Sequence, residues 1–328
     1  MRIALVSSRS FAQVVPMGEK ILTKAGFEVL RVSPEERPLD AAKMARIVSR
    51  EDPDVIISGA EPITAQVLAA SKRLRMIMKH GVGVDNIDLD TAKSLGIMVA
   101  NAPGTNTEAV ADLTVGMMLA LLRGICEANN STRVGEWNRF MGHELGAMTV
   151  GVVGTGRIGT EVIKRIHGFG SRIIAFDVVQ RADLIANYAV RYVALEELLE
   201  NSDIVTLHVP LMEQTRHMIG TRELGLMRES AYLINAARGD LIDEVALYDH
   251  LAAHRIAAAA LDVFSTEPPQ ESLLLGLSNV FAIPHIGAYT YEAMEHMDRM
   301  CAETILDVFT GKRPTNLLNR VDSGSSAI

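Results

Sequence analysis

The stretch Gly154-Thr155-Gly156-Arg157-Ile158-Gly159 restricts what this chain can fold into more than any other segment. It directly follows the apolar run Val150-Gly151-Val152-Val153 and opens a segment that reads as a helix. Eighteen residues beyond Gly159, at the end of the apolar run Ile173-Ile174-Ala175-Phe176, stands Asp177. Strand, glycine turn, helix, strand and acid, in that order, predict a dinucleotide-binding βαβ unit. The first glycine permits the tight turn, the second lets the backbone approach a pyrophosphate, and the third lets helix and strand pack closely. The free N–H groups at the helix start then face the phosphates. A carboxylate at Asp177 suits two ribose hydroxyls and repels a 2′-phosphate, so the expected cofactor is NAD rather than NADP.

Around this unit, short apolar runs alternate with helical patterns along almost the whole length, which implies α/β architecture with parallel sheets. Strands are expected near Ile3–Val6, Glu28–Arg31, Val55–Ser58, Arg75–Lys79 and Ile97–Ala100, with Gly26 and Gly96 where helix C-terminal glycines belong. After Pro103, Thr105 and Glu108 make an S/T-x-x-E capping box that opens an apolar helix to about Cys126. The βαβ unit follows, then strands at Ile204–His208, Ala231–Asn235, Ala258–Val263 and Val280–Ile283, and a helix over Tyr291–Phe309. The 328 residues exceed one typical domain. The fold class expected is therefore two doubly wound parallel-sheet (Rossmann-like) domains, one inserted in the other. Residues 102–285 form the NAD-binding domain, and 1–101 with 286–328 a flavodoxin-like substrate-binding domain, with a ligand cleft between them. The segment 322–326 reads as a mobile tail.

Several classes of function are disfavoured. The net charge is −8 and no basic stripe with interleaved aromatics occurs, so no nucleic-acid partner is expected. The longest apolar helix candidate, Val110 to Leu122, contains Asp112 and is too short to span a bilayer, so no membrane partner is expected either. Cys126 and Cys301 lack any metal-ligand or C-x-x-C spacing, so no metal is expected, and they read as small apolar residues in a reducing compartment. The N-terminus runs into a strand without a signal-peptide pattern, and a cytoplasmic location is expected.

Three further segments each put one titratable or charged side chain just past a strand: Asn235-Ala236-Ala237-Arg238-Gly239, Ala260-Leu261-Asp262-Val263-Phe264 leading to Glu267-Pro268-Pro269, and Pro284-His285-Ile286-Gly287. With the glycine motif, and with Lys79-His80-Gly81-Val82-Gly83-Val84-Asp85-Asn86-Ile87-Asp88 upstream, the chain resembles the D-isomer-specific 2-hydroxyacid dehydrogenases over essentially its whole length. Within them it is most similar to the phosphoglycerate dehydrogenase branch.

The resemblance implies hydride transfer between NAD(H) and a D-2-hydroxy acid or 2-keto acid, with 3-phosphoglycerate and 3-phosphohydroxypyruvate as the expected pair. Hydroxypyruvate, glyoxylate or another 2-keto acid is the alternative. It implies His285 as proton donor to the keto oxygen, Glu267 as the partner of its other ring nitrogen, and Arg238 as the grip on the keto oxygen and carboxylate. It implies backbone amides of Gly81, Val82 and Gly83 as a nest for the substrate carboxylate. Lys79 stands where many phosphoglycerate dehydrogenases place an arginine on the phosphate, and supplies charge without a fork. Asp262 is expected to accept from the nicotinamide carboxamide, and Arg157 and Ile158 to lie along the pyrophosphate. His208, Val209 and Pro210 would border the adenosine half, with Thr215 on the same edge. Ala236, Ala237, Gly287 and Ala288 are expected to line the cofactor. His80 is assigned no role.

A homodimer through the NAD domain is expected, with contact over 108–140 and Trp137 as anchor. The chain stops soon after the helix over Tyr291–Phe309, so feedback through a C-terminal regulatory domain is not expected. A reading from another class is a dinucleotide-sensing corepressor-like interaction protein, since such proteins share the scaffold and its catalytic residues.

Overall fold

Each of the two units is built on one parallel sheet whose inner strands are apolar on both faces, as burial under helices on both sides requires. The computed structural model describes residues 1–319, so the tail segment at 322–326 lies outside the described residues. Unit 1 comprises Met1–Asn106 and the chain from Tyr289 on, and unit 2 comprises Thr107–Ala288.

In unit 1 the strands are β1 (Arg2–Val6), β2 (Phe27–Arg31), β3 (Val55–Ser58), β4 (Met76–Lys79) and β5 (Met98–Ala100). They lie in the order β2-β1-β3-β4-β5, the flavodoxin-like arrangement. Alternate residues Leu5, Ile56, Ile77 and Val99 join one core with Met44, Ile47 and Val48 of the helix Ala41–Glu51. Gly26 and Gly96 end their helices at φ +85° and +73°, a backbone that glycine takes without a Cβ clash. The helix Tyr291–Phe309 packs on Met17–Lys24, and the chain after it bridges Leu317 to Ala100.

Unit 2 holds β6 (Thr149–Val153), β7 (Arg172–Phe176), β8 (Arg191–Tyr192), β9 (Ile204–Leu207), β10 (Tyr232–Asn235), β11 (Ala258–Leu261) and β12 (Val280–Ala282). The order is β12-β11-β10-β9-β6-β7-β8, with β6 at the switch point of a Rossmann sheet. Val150 and Val152 face a core shared with Val115, Met118, Val162 and Ile166. Val153, Val205 and Leu233 face the other, with Leu198, Leu224 and Leu247. The short edge strand β8 carries no sequence signal of its own.

Two local expectations fail. No capping box forms at Thr105: its hydroxyl donates to the Ala102 carbonyl, Glu108 pairs with Arg165, and the helix starts at Thr107. That helix ends at Arg123 rather than near Cys126, because Gly124 turns left-handed (φ +54°) and a second helix, Ile125–Arg133, departs at 63°. Among the described residues no single helix is long and apolar enough to cross a membrane. The unit boundaries also fall a few residues beyond those expected. Ala102 donates to Gly81 of unit 1, while Ile286 and Gly287 are tied to Asp262 of unit 2.

Candidate functional site

The glycine turn joins β6 to the helix Arg157–Phe169. Gly154 sits at φ +95°, and a Cβ there would meet the His208 carbonyl carbon at 2.7 Å. A Cβ on Gly159 would fall on the Gly154 carbonyl oxygen. Around Gly156, by contrast, no atom beyond the adjoining backbone lies within 4 Å of where a Cβ would be. Two glycines are therefore demanded by the protein's own packing, and the middle one borders open space in front of a helix N-terminus. That is the shape and polarity a pyrophosphate needs. Arg157 is exposed and Ile158 half-buried beside it.

Asp177, at the end of β7, accepts from the Thr155 amide at 2.6 Å and hydroxyl at 3.0 Å, and from the Val179 amide at 3.0 Å. Partial burial acts to raise its pKa, but these donors outweigh it and hold the carboxyl below the usual carboxylate range. The group is thus an anion beside the glycine turn, suited to hydroxyls and hostile to a phosphate. The residues of unit 2 fit a dinucleotide without a 2′-phosphate.

His208 lies past β9, with Nε2 2.9 Å from the Thr206 hydroxyl. The residue keeps some exposure, yet its ring is enclosed, and burial pushes its pKa from 6.5 down to about 3. Unfolded His208 gains a proton near pH 6.5 and the folded residue only near pH 3, so between these values acid favours the unfolded chain. Stability should fall as pH drops from 6.5 toward 4, with this group contributing a slope of up to about 1.4 kcal/mol per pH unit. Urea melts of His208→Asn across that range should show a shallower loss than the wild type; an equal loss would contradict the assignment. Val209 packs against Gly154, its Cγ1 2.9 Å from a Cβ placed there, while Pro210 is exposed. The Thr215 hydroxyl is taken up by its own turn, donating to Pro210 O at 2.7 Å and accepting from the Met212 amide at 2.8 Å.

Beyond β10, β11 and β12 the chain gathers the expected polar groups. Asn235 shapes the first loop: its Oδ1 accepts from Ala237 N at 3.0 Å and its Nδ2 donates to Arg238 O at 2.8 Å. Ala236 and Ala237 are half-buried there, and Arg238 follows in extended backbone. A Cβ on Gly239 would fall on the backbone of Phe264, so this glycine lets the Arg238 loop touch the loop that bears Glu267.

Glu267 Oε1 accepts from the Phe264 amide at 3.2 Å, and Oε2 lies 2.7 Å from His285 Nδ1. Burial acts to raise the Glu267 pKa. The His285 hydrogen bond and charge, the Phe264 amide and the Arg238 charge overcome it and hold the group low. Arg238, Glu267 and His285 are thus brought together within unit 2.

His285 occupies the left-handed region (φ +52°), which is uncommon for a residue other than glycine. Asp262 is what holds it there. It is 1% exposed, and its two oxygens accept from Ile286 N at 2.7 Å and Gly287 N at 2.8 Å. Burial, the largest influence, raises its pKa, partly offset by these amides and by His285. The resemblance implies a carboxamide acceptor at Asp262; the structure shows a clamp on the His285 turn, which no local pattern announced. Gly287 is buried against Val110, and Ala288 is half-buried.

In unit 1, Gly81 has φ +152°. The Gly81 carbonyl accepts from Ala102 N at 2.9 Å and the Val82 carbonyl from Asn101 Nδ2 at 2.7 Å. Two carbonyls of the Gly81–Gly83 loop are thus engaged within the unit. Lys79 is buried, and its ammonium donates to Gly59 O and, at 2.7 Å, to Asn86 Oδ1. His80 is fully buried: Nε2 is 2.8 Å from Asp298, and Nδ1 is 3.0 Å from the Ser10 hydroxyl and 3.2 Å from that of Ser8.

Residues 115–287 match the family model described as D-isomer specific 2-hydroxyacid dehydrogenase, NAD binding domain. The chain is 42% identical to a D-3-phosphoglycerate dehydrogenase of Methanocaldococcus jannaschii over 92% of its own length, and spans 57% of that relative. It is 41% identical to a glyoxylate reductase of Korarchaeum cryptofilum, over 82% of this chain and 84% of that one. Among solved structures, a D-lactate dehydrogenase of Aquifex aeolicus in complex with NAD and lactic acid superposes with a TM-score of 0.85 at 28% identity, covering 99% of this chain and 100% of that one.

Proposed function

Because this chain belongs to the D-isomer-specific 2-hydroxyacid dehydrogenases, we propose that it interconverts a D-2-hydroxy acid and its 2-keto acid with NAD, the pair being 3-phosphoglycerate and 3-phosphohydroxypyruvate. The observation that carries the reaction is the imidazole of His285 held on Glu267 beside Arg238, in the same unit as the glycine turn. The nicotinamide, when bound, supplies or accepts the hydride. His285 handles the proton. Glu267 stays ionised and accepts from Nδ1–H, which leaves Nε2 for the substrate oxygen. Protonated, Nε2–H donates to the keto oxygen during reduction; neutral, Nε2 takes the hydroxyl proton during oxidation. The planar fork of Arg238 suits a keto oxygen and the adjoining carboxylate, and the Gly81–Gly83 amides suit the carboxylate as well.

The relatives divide between phosphoglycerate dehydrogenase and reductases of glyoxylate and hydroxypyruvate, so the substrate is read from a panel. Loss of NADH absorbance should be fastest with phosphohydroxypyruvate, ahead of hydroxypyruvate and glyoxylate. NADPH should serve at least about tenfold less well, given the anionic Asp177. If no 2-keto acid oxidises NADH, the corepressor-like reading takes over. A cytoplasmic location and a homodimer through unit 2 belong to the same proposal. The dimer is supported by the apolar side chains left exposed there, with Trp137 77% and Met141 101% accessible.

A further inference from the structure

We propose that Arg9 and Arg37 form an anion subsite on unit 1 that holds the acidic group at the far end of the substrate, a phosphate ester under the reading above. The inference rests on that reading for the identity of the substrate and on the following geometry for the site.

The order β2-β1-β3 makes β1 the switch point of unit 1, and open α/β sheets take ligands at the strand ends there. Arg9 lies in the loop after β1, and Arg37 closes the single turn Pro34–Glu36 after β2. Arg37 Nη2 donates to the Ser7 carbonyl at 2.6 Å. Past β3, Gly59 lies so near the first loop that a Cβ on it would be 3.1 Å from Ser8 Cα. Glu61 locks this junction, with Oε1 accepting from the Ser7 hydroxyl and from the Gly59 amide at 2.7 Å. Gly59 O in turn accepts from Lys79, whose Cε would lie 3.4 Å from a Cβ on Gly81. The loops after four strands thus form one network, with the two arginines at one end and the Gly81 loop at the other.

Arg31, Arg50 and Arg73 of unit 1 each have a carboxylate partner. Arg9 and Arg37 have no ion pair among the described residues, and Arg9 is exposed. Burial lowers the Arg37 pKa; the carboxylate of Glu61 opposes this, and the like charge of Arg9 adds a smaller lowering. Two guanidinium groups that repel each other at a strand-end edge are stabilised by an anion shared between them, and their forks match phosphate or carboxylate oxygens. Lys79 is the weaker candidate, since its ammonium is tied to Gly59 and Asn86.

The test uses Arg9→Met, Arg37→Met and the charge-retaining Arg37→Lys. In each Met variant, kcat/KM for phosphohydroxypyruvate should fall by about 10–100-fold, and for glyoxylate, which has no distal group, by less than about threefold. Arg37→Lys should recover part of the loss. Equal losses on both substrates, or none on phosphohydroxypyruvate, would overturn the subsite. Should the wild type prefer 2-oxoglutarate or oxaloacetate, the same selective loss on those acids would keep the subsite and make its anion a carboxylate. Should no acid be reduced at all, the dehydrogenase reading fails and inorganic phosphate alone judges the subsite. A phosphate-dependent rise in the thermal midpoint that the Arg9→Met/Arg37→Met double variant lacks would support it, and an unaltered response would overturn it.

Discussion

His285→Ala should lower kcat by about 10²–10⁴-fold while leaving NADH binding within about threefold of the wild type. The imidazole is the group placed to move a proton, with Nδ1 engaged by Glu267 and Nε2 left for substrate. The pyrophosphate and ribose contacts are assigned to Gly156 and Asp177, apart from the His285 side chain. Because residue 285 sits at φ +52°, alanine also adds backbone strain. His285→Asn is the better-matched control, since asparagine tolerates the left-handed region. Steady-state turnover and NADH fluorescence titration on both variants separate chemistry from binding. Retention of a tenth of the wild-type rate by either would remove His285 from the proton step.

The glycine turn should answer in two opposite ways. Gly159→Ala forces a methyl onto the Gly154 carbonyl oxygen, and backbone cannot step aside as a side chain can. It should cost about 1–3 kcal/mol, a fall of roughly 2–12 °C in Tm, together with weaker NADH binding. Gly156→Ala meets nothing in the protein and has an ordinary φ of −65°. Its Tm should stay within about 2 °C of the wild type, because an N-cap exchange from glycine is worth well under 2 kcal/mol. Its Kd for NADH should nevertheless rise by at least about tenfold, since the new methyl occupies the space assigned to the pyrophosphate. Calorimetry and NADH titration on the two variants make the comparison. Undiminished NADH affinity in Gly156→Ala would mean that the open space serves something else.

How far the residues announced all this depends on how local each feature is. The βαβ unit was legible because strand alternation, a glycine turn and a strand-end acid are all short-range patterns, and β6, β7 and the helix Arg157–Phe169 follow them closely. The capping box at Thr105 matched a pattern equally well, yet the helix starts at Thr107, so Thr105 does not stand at its N-cap. The break at Gly124 was missed because its backbone is set by what packs on it, with Phe140 Cβ only 3.3 Å from a Cβ placed there. Asp262 was legible as a polar residue past a strand, but its grip on Ile286 and Gly287 spans more than twenty residues. Arg9 and Arg37 carried no signal at all, since neither stands in a motif.

The order of residues alone determined the α/β class, the parallel sheets, the glycine turn and the identities of the strand-end side chains. Each of these follows from backbone dihedrals and burial periodicity over a few residues. Tertiary structure alone decided which strand ends are neighbours, because β1 lies between β2 and β3 and β6 between β9 and β7, an arrangement that differs from chain order. Hydrogen bonds and charges act over a few ångströms, so the clamp on His285 and the bond from Arg37 to the loop that bears Arg9 exist only once the sheets have brought distant loops together.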